Sequence, residues 1–141
     1  MAGHLHLVKL SVGSRSVASL RKWQRSKRAT VAGGLPRHVT RMWPRRAEEL
    51  LDGGSIYWVI KGVILCRQRI LRLDEVVRRD GIRRCGIVLE PELVPTQAFP
   101  KKAFQGWRYL PAEDAPADLE GGEDGALPPA LAAKLGEIGI L

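Results

Sequence analysis

No stretch of this 141-residue sequence is apolar for long enough to cross a membrane as a helix. The best apolar stretch, residues 56–66, is interrupted by a charge at Lys61. The start of the chain lacks the apolar block of a secretory signal, because His4, His6 and Lys9 interrupt it. The sequence therefore predicts a cytoplasmic protein that has no membrane partner.

Acidic residues are missing from the first third of the chain. No Asp or Glu precedes Glu48, and residues 11–28 are rich in Ser and Arg. That composition resembles an organelle transit peptide. Residues 4–10, however, alternate as a strand does, with Leu5 and Leu7 on one side. This pattern favours a structural role for the beginning of the chain.

Cysteine is scarce, and its spacing does not suit a metal site. Cys66 and Cys85 have no CxxC motif and no histidine pair near them, so they lack a zinc signature. Both lie in apolar, strand-like runs, where a free Cys packs as a small core residue. We expect reduced thiols. His4, His6 and His38 could meet in space, but nothing in their spacing requires it, and we predict no metal site.

Catalytic signatures are also missing. The sequence contains no G-x-S-x-G motif, no P-loop and no dinucleotide fingerprint. The adjacent carboxylates of Asp74 and Glu75 would point to opposite sides of a strand, whereas general acid–base catalysis requires two converging groups. The sequence therefore predicts no catalytic residue and no cofactor, and it favours a binding protein over an enzyme.

Basic residues are abundant and unevenly distributed. Residues 1–110 contain 22 Lys and Arg against 8 Asp and Glu, a net charge of +14. Residues 111–141 contain 1 against 7, a net charge of −6. A domain this basic attracts polyanions, and an acidic tail can compete for the same surface. We predict a basic α+β domain at residues 1–110 and an acidic, largely flexible tail at residues 111–141, where Leu131, Leu135 and Ile138 could share one face of a short helix.

Turn residues and apolar periodicity divide the domain into strands and helices. Strands are predicted at residues 4–10, 38–43, 55–60, 63–73, 82–89 and 104–110, and helices after Ser16 and at residues 45–51. We therefore predict an α+β fold with two helices and a mixed or antiparallel sheet of about five or six strands, curled into a small barrel.

The clearest structural signal is a hairpin. Two apolar runs, residues 55–60 and 63–73, flank a Lys-Gly turn. Both faces are apolar near the turn, so we expect the sheet to be covered on both sides. An unbroken register places Cys66 on the face of Tyr57, and a bulge is expected within residues 69–73, where the alternation fails.

Two flanking segments complete the prediction. The first helix has Ser16 as its N-cap and presents Val17, Leu20 and Trp23 on one face. Residues 91–100 contain three prolines and are predicted to form a loop.

Cations alternate with aromatic rings in several segments of the chain. Single-stranded nucleic acid is bound by such groups, because cations contact phosphates and rings stack on bases. The two tryptophans of these segments could instead be core residues, and the sequence leaves both alternatives open. The candidate nucleic-acid-binding residues are Arg41, Trp43, Arg45, Arg46, Arg67, Arg69, Lys101, Lys102, Trp107 and Arg108.

Three of these segments resemble an alphaproteobacterial family of unknown function, DUF1489. The matching strings are HVTRMWPRR at residues 38–46, AEELLDGGSIYWVIKG at residues 47–62 and FQGWRYL at residues 104–110. The resemblance covers roughly residues 4–118. It implies a bacterial cytoplasmic protein and brings no established activity.

The layout of a short helix, a glycine turn and following strands is also similar to PUA-like barrels, including the ASCH group, which often bind RNA. The ASCH pattern G-x-K-x-x-E-x-R is not met. Counted from Gly54, its Lys, Glu and Arg positions hold Ile56, Val59 and Lys61. The likeness is one of layout, and layout by itself is weak evidence of function.

Charge and the interleaved aromatics together favour a protein that binds RNA or another polyanion without catalysis. Two alternatives remain. The chain could be a protein-interaction or assembly-accessory module whose partner binds the C-terminal tail, or an enzyme that acts on a nucleotide or modified base in a barrel pocket.

Overall fold

The computed structural model describes residues 4–26 and 34–119. Seven strands and two helices occupy these ranges. In chain order they are β1 (Leu5–Leu10), α1 (Val17–Gln24), β2 (Arg37–Thr40), α2 (Ala47–Leu51), β3 (Ser55–Ile60), β4 (Val63–Val77), β5 (Arg83–Leu89), β6 (Val94–Pro100) and β7 (Trp107–Pro111). Among these residues, no helix is long and apolar enough to span a membrane.

The strands form one mixed sheet in the order β2-β5-β4-β3-β1-β7, with β6 paired to β4 beside this path. β1 and β3 are parallel, and the other pairs are antiparallel. The predicted α+β class is confirmed, with two helices and a mixed sheet. Over the residues described, the sheet is not closed into a barrel, and it has one strand more than the largest number predicted.

The predicted hairpin is present as β3 and β4. Its two-residue turn has positive φ at both positions, 51° at Lys61 and 82° at Gly62, which is the type I′ geometry that joins twisted strands well. The bulge predicted within residues 69–73 is confirmed, because the pairing of β4 with β5 shifts between Ile70 and Arg72. Leu71 is the extra residue, and its side chain is exposed.

The predicted register of the hairpin is wrong beyond its first pairs. A second irregularity places Cys66, and not Leu65, opposite Trp58. Cys66 therefore packs on the Trp58 side of the sheet, while Arg67 lies opposite Tyr57 on the other side. Because side chains alternate along a strand, one bulged residue exchanges the faces of everything after it.

The proline-rich segment predicted to be a loop is strand β6. Pro95 pairs with Cys66, and Pro100 with Val63, of β4. Proline is tolerated here because it lacks only the N–H, while its carbonyl still accepts a hydrogen bond: the N–H of Leu119 donates to the Pro95 carbonyl at 3.0 Å.

Residues 111–119, at the start of the predicted acidic tail, lie against this sheet. Thr96 and Asp118 form an isolated antiparallel bridge, and the N–H of Gln97 donates to the Ala117 carbonyl at 2.8 Å. The rest of the tail, with the helix predicted around Leu131, lies outside the described residues.

Apolar side chains cover both faces of the central strands, as predicted. All six residues of β3 are buried. On one face Ile56, Trp58 and Ile60 pack with residues of β1, β4, β5 and both helices. On the other, Tyr57 and Val59 belong to a second cluster. The sheet therefore separates two apolar layers.

Both cysteines are free and fully buried in the first layer. Burial raises the pKa of Cys66 to about 12 and that of Cys85 to about 11, so both remain thiols at neutral pH. We expect the Cys66→Ala/Cys85→Ala variant to lose about 1–3 kcal/mol of unfolding free energy in urea denaturation and to keep its binding activity. Loss of binding in a folded variant would contradict a purely structural role.

Candidate functional site

One group of the predicted binding residues is brought together by the fold. The segment before α2 packs on β7, where the N–H groups of Arg45 and Arg46 donate to the Tyr109 hydroxyl at 2.9 and 3.1 Å. The indole N–H of Trp107 donates to the Met42 carbonyl at 2.9 Å. These contacts fix the segment through its backbone and leave the Arg45 side chain exposed.

The two tryptophans in this group offer little surface for stacking. Trp107 is only 5% exposed and belongs to the core. Trp43 is half-buried, and the guanidinium of Arg83 lies 4.0 Å from its ring centroid, over the ring. We therefore assign Trp107 to the core, and a base could reach Trp43 only if Arg83 moved.

Two of the predicted cations already have carboxylate partners. Arg46 binds Glu49 through two hydrogen bonds of 2.7 Å. Arg67 binds Asp118 through two bonds of 2.7 and 2.8 Å and also donates to the Ser55 hydroxyl. A phosphate would have to compete with these acidic groups.

The other predicted cations are dispersed over the fold, two of them in strands β4 and β7 and four outside the strands. In the part of the chain that the structure describes, none of them forms an ion pair. The N–H of Lys101 bonds to Gly62 at the β3–β4 turn, and Arg108 lies over the Phe104 ring. The dispersed cations are Arg41, Arg45, Arg69, Lys101, Lys102 and Arg108. They form a basic surface and not one compact site.

A cleft beside α1 brings cationic, aromatic and polar side chains together in a compact space. Its volume is about 230 Å³. It lies between α1, the end of β1, the start of β2 and the central strand β3. The side chains that matter for its chemistry are Lys9, Trp23, Gln24, Arg37, His38 and Trp58.

α1 begins where the sequence predicts. The Ser16 hydroxyl accepts a hydrogen bond from the Ser19 N–H at 3.1 Å, and the Ser19 hydroxyl accepts one from the Ser16 N–H at 3.0 Å. This reciprocal capping box satisfies donors that an uncapped helix would leave unpaired. Leu20 and Gln24, four residues apart, form the buried face.

A pair of buried glutamines holds α1 against the sheet. The amides of Gln24 and Gln68 bond to each other in both directions, at 2.9 and 2.6 Å. Gln68 also accepts from the Trp58 indole N–H at 3.0 Å and donates to the Glu90 carbonyl at 2.8 Å. The sequence contained no signal for this pair, because the glutamines are 44 positions apart.

His38 contributes the free polar atom of the cleft wall. Its Nε2 is buried and has no hydrogen-bond partner among residues 4–26 and 34–119. The ring stands edge-on to Trp58 with 5.7 Å between centroids. Burial, and secondarily the charge of Lys9, lower the pKa of His38 to about 4. The imidazole is therefore neutral at pH 7, with one nitrogen a donor and the other an acceptor.

Positive charge in the cleft is not balanced locally. Lys9 and Arg37 line it, and no carboxylate of the described chain does. Burial lowers the pKa of Lys9. The stem of Arg37 crosses β5 at Gly86, where an added Cβ would lie 2.8 Å from the Arg37 Cδ. Cys85 and Ile87, on either side of Gly86, face the core, so the Arg37 stem lies over the opposite face of β5.

Trp23 is where the sequence-based expectation failed most clearly. It was predicted to share one helical face with Val17 and Leu20, but 56% of its surface is exposed at the cleft, whereas Leu20 is buried. The buried face of this short helix runs through Leu20 and Gln24, and Trp23 lies beside that line. Flanking cations in RKWQR, residues 21–25, repeat the alternation seen in the predicted binding segments and could have identified it.

The chain matches the family described as "Protein of unknown function (DUF1489)" over residues 7–141. It belongs to this family. Comparison with curated proteins and with solved structures gave no match. Membership agrees with the resemblance noted in the sequence and assigns no activity to the cleft.

The three histidines do not converge. His6 packs edge-on to Tyr57, at 5.0 Å between centroids, and its Nδ1 accepts the Ser55 N–H at 3.0 Å. His38 contacts Trp58, which points to the opposite side of β3. Within the described ranges, no group of three potential ligands could hold a metal ion.

Proposed function

We propose that this protein binds RNA, and that the cleft beside α1 is its principal contact site. One observation supports this above the others: Lys9 and His38 line a cleft that has no carboxylate of the described chain and an exposed tryptophan at its side. Cations without local counterions attract an anion, and an exposed indole offers a surface for a flat ring.

Further cations are exposed on and around α1. Lys22 and Arg25 are exposed on and just after α1, and Arg15 is exposed just before it. Backbone phosphates of a bound strand could follow these side chains while a base approaches Trp23. The dispersed cations, such as Arg41 and Arg108, would add weaker contacts to a longer strand.

The alternatives lack comparable support. The tail face of Leu131, Leu135 and Ile138, predicted as a protein-docking element, lies outside the described residues. For an enzyme acting on a nucleotide, the cleft would have to supply converging acid and base groups, and its described lining includes no carboxylate. Binding without catalysis is therefore the function that we propose.

Salt dependence tests the proposal. Binding of a fluorescent single-stranded RNA, followed by anisotropy, should weaken steeply as salt rises, because each phosphate contact releases a counterion. Five or six contacts correspond to a log–log slope of about −3.5 to −4. Absence of binding at low salt, or a flat profile, would contradict the proposal.

Two variants with equal charge change locate the contacts. Lys22→Gln/Arg25→Gln removes exposed cations of α1 and its C-cap, adjacent in the chain to Trp23 and Gln24 of the cleft. Arg78→Gln/Arg79→Gln removes exposed cations at the β4–β5 turn, the far end of β5 from the cleft. We expect the first pair to make the slope less steep by about 1.4 and the second to change it little. Equal effects would indicate general attraction to a basic protein and no contact site at the cleft.

A further inference from the structure

We infer that the cleft accommodates one unpaired base of the RNA, with the Trp23 indole on the face of the base and the His38 imidazole at its edge. This inference rests on the proposed function and deepens it. Such a site would distinguish RNA that carries bases from a sugar–phosphate chain without them.

The volume of the cleft limits what can enter. At about 230 Å³ it is smaller than the roughly 300–1,000 Å³ of pockets for drug-sized ligands. One heterocyclic ring system fits such a space, whereas a nucleotide pair does not. Ribose and phosphate would remain at the mouth of the cleft, which Lys9 also lines.

Two polar side chains of the cleft wall already have hydrogen-bond partners, and His38 has a ring nitrogen that is unpaired among the described residues. The amide of Gln24 is engaged by Gln68, and so is the indole N–H of Trp58. His38 Nε2 has no partner in the described chain, and burying a polar atom without one is costly. Because Nε2 has almost no accessible surface, the His38 ring would turn this nitrogen toward the cleft for the polar edge of a base to supply that partner.

The face of the base has a separate partner. Trp23 is the one tryptophan with more than half of its surface exposed, and it lines the same cleft as His38. Rings stack on an indole with little regard to base identity, whereas an imidazole at the edge discriminates between donors and acceptors. Both contacts require a base that is not paired in a duplex, because a paired base hides its edge and both faces.

Comparing the binding of two oligomers of equal charge separates base recognition from attraction to phosphates. The first is an RNA octamer of uridine, and the second is an octamer of abasic ribose phosphate. The wild-type protein should bind the uridine octamer roughly 5- to 150-fold more tightly, which is the range measured for stacking of one base on one aromatic side chain. A self-complementary RNA duplex should bind more weakly than the uridine octamer per phosphate.

Variants assign the difference to the cleft. Trp23→Ala should remove most of the preference for the uridine octamer over the abasic strand and leave the salt slope unchanged. His38→Leu should reduce the same preference, and His38→Gln, which keeps a polar group, should retain more of it. Because His38 is largely buried, the imidazole nitrogen shifts of the wild-type protein provide an independent readout, and they should move with uridine RNA but not with the abasic strand.

Each outcome has a distinct meaning. Tight, salt-dependent binding of both octamers with equal affinity would overturn the base site and leave RNA binding through phosphates intact. Binding of neither octamer would overturn the proposed function itself. A preference for uridine that survives Trp23→Ala, without any shift at His38, would place base recognition elsewhere on the protein and overturn this inference.

Discussion

Replacing Trp107 with Ala is expected to lower the free energy of unfolding by about 3–5 kcal/mol, because the indole is a buried core anchor. The change leaves a cavity next to Tyr109, whose ring centroid lies 4.9 Å away. It also removes the indole N–H that donates to the Met42 carbonyl. The segment preceding α2 would lose one of its attachments to β7.

Trp23→Ala is the matched control for this variant. The same side chain is removed from an exposed position, so we expect a change in unfolding free energy within about 0.5 kcal/mol. Urea denaturation of the three proteins measures both effects. A Trp107→Ala protein as stable as the wild type would contradict the core assignment and restore Trp107 as a candidate for base stacking.

Lowering the pH is expected to destabilise the protein at pH values well above those at which most carboxylates titrate. Burial is the largest cause that lowers the pKa of His6 and of His38, each to about 4. The nearby charges of His4 and Arg67 lower the pKa of His6 further, and that of Lys9 lowers the pKa of His38. Below pH 6.5, the ordinary pKa of a histidine, the unfolded chain therefore binds protons at these two residues while the folded protein does not.

Stability consequently falls with pH between about 6.5 and 4. Between pH 7 and pH 5, each histidine should lower the free energy of unfolding by about 2 kcal/mol, and the two together should lower it by about 4 kcal/mol. Unfolding free energies measured in urea at these two pH values test the sum. His6→Gln and His38→Gln should each remove about half of the pH dependence.

NMR titration of the imidazole signals checks the same prediction directly. The signals of His6 and His38 should remain those of neutral rings at pH 5.5. Protonation of either ring near pH 6.5 in the folded protein would contradict its burial and would remove that histidine from the pH dependence.

The sequence by itself determined the features that depend on neighbouring residues in the chain. The hairpin follows from two apolar runs around Lys61 and Gly62, and the helix start follows from Ser16. The bulge at Leu71 follows from a break in alternation. Each of these depends on residues close together in the chain, so propensity and pattern contain the necessary information.

Strand β6 and the hairpin register required the tertiary structure. Prolines argue against a strand in general, but the two in β6, Pro95 and Pro100, are tolerated where only part of the ladder needs an N–H donor, and that depends on the neighbours of β6. The bulge that places Cys66 opposite Trp58 likewise reflects packing on both faces and not any local motif.

Some features of the candidate site could likewise be predicted from the sequence, and others required the tertiary structure. Composition predicted a basic surface and the sequence contained its cations, but it could not separate Trp107 in the core from Trp23 at the cleft. That distinction depends on the rotation of α1, which the Gln24–Gln68 amide pair fixes across 44 positions. Charge is additive along a chain and can be counted from the sequence, whereas burial is a property of contacts between distant residues and is decided only when the chain folds.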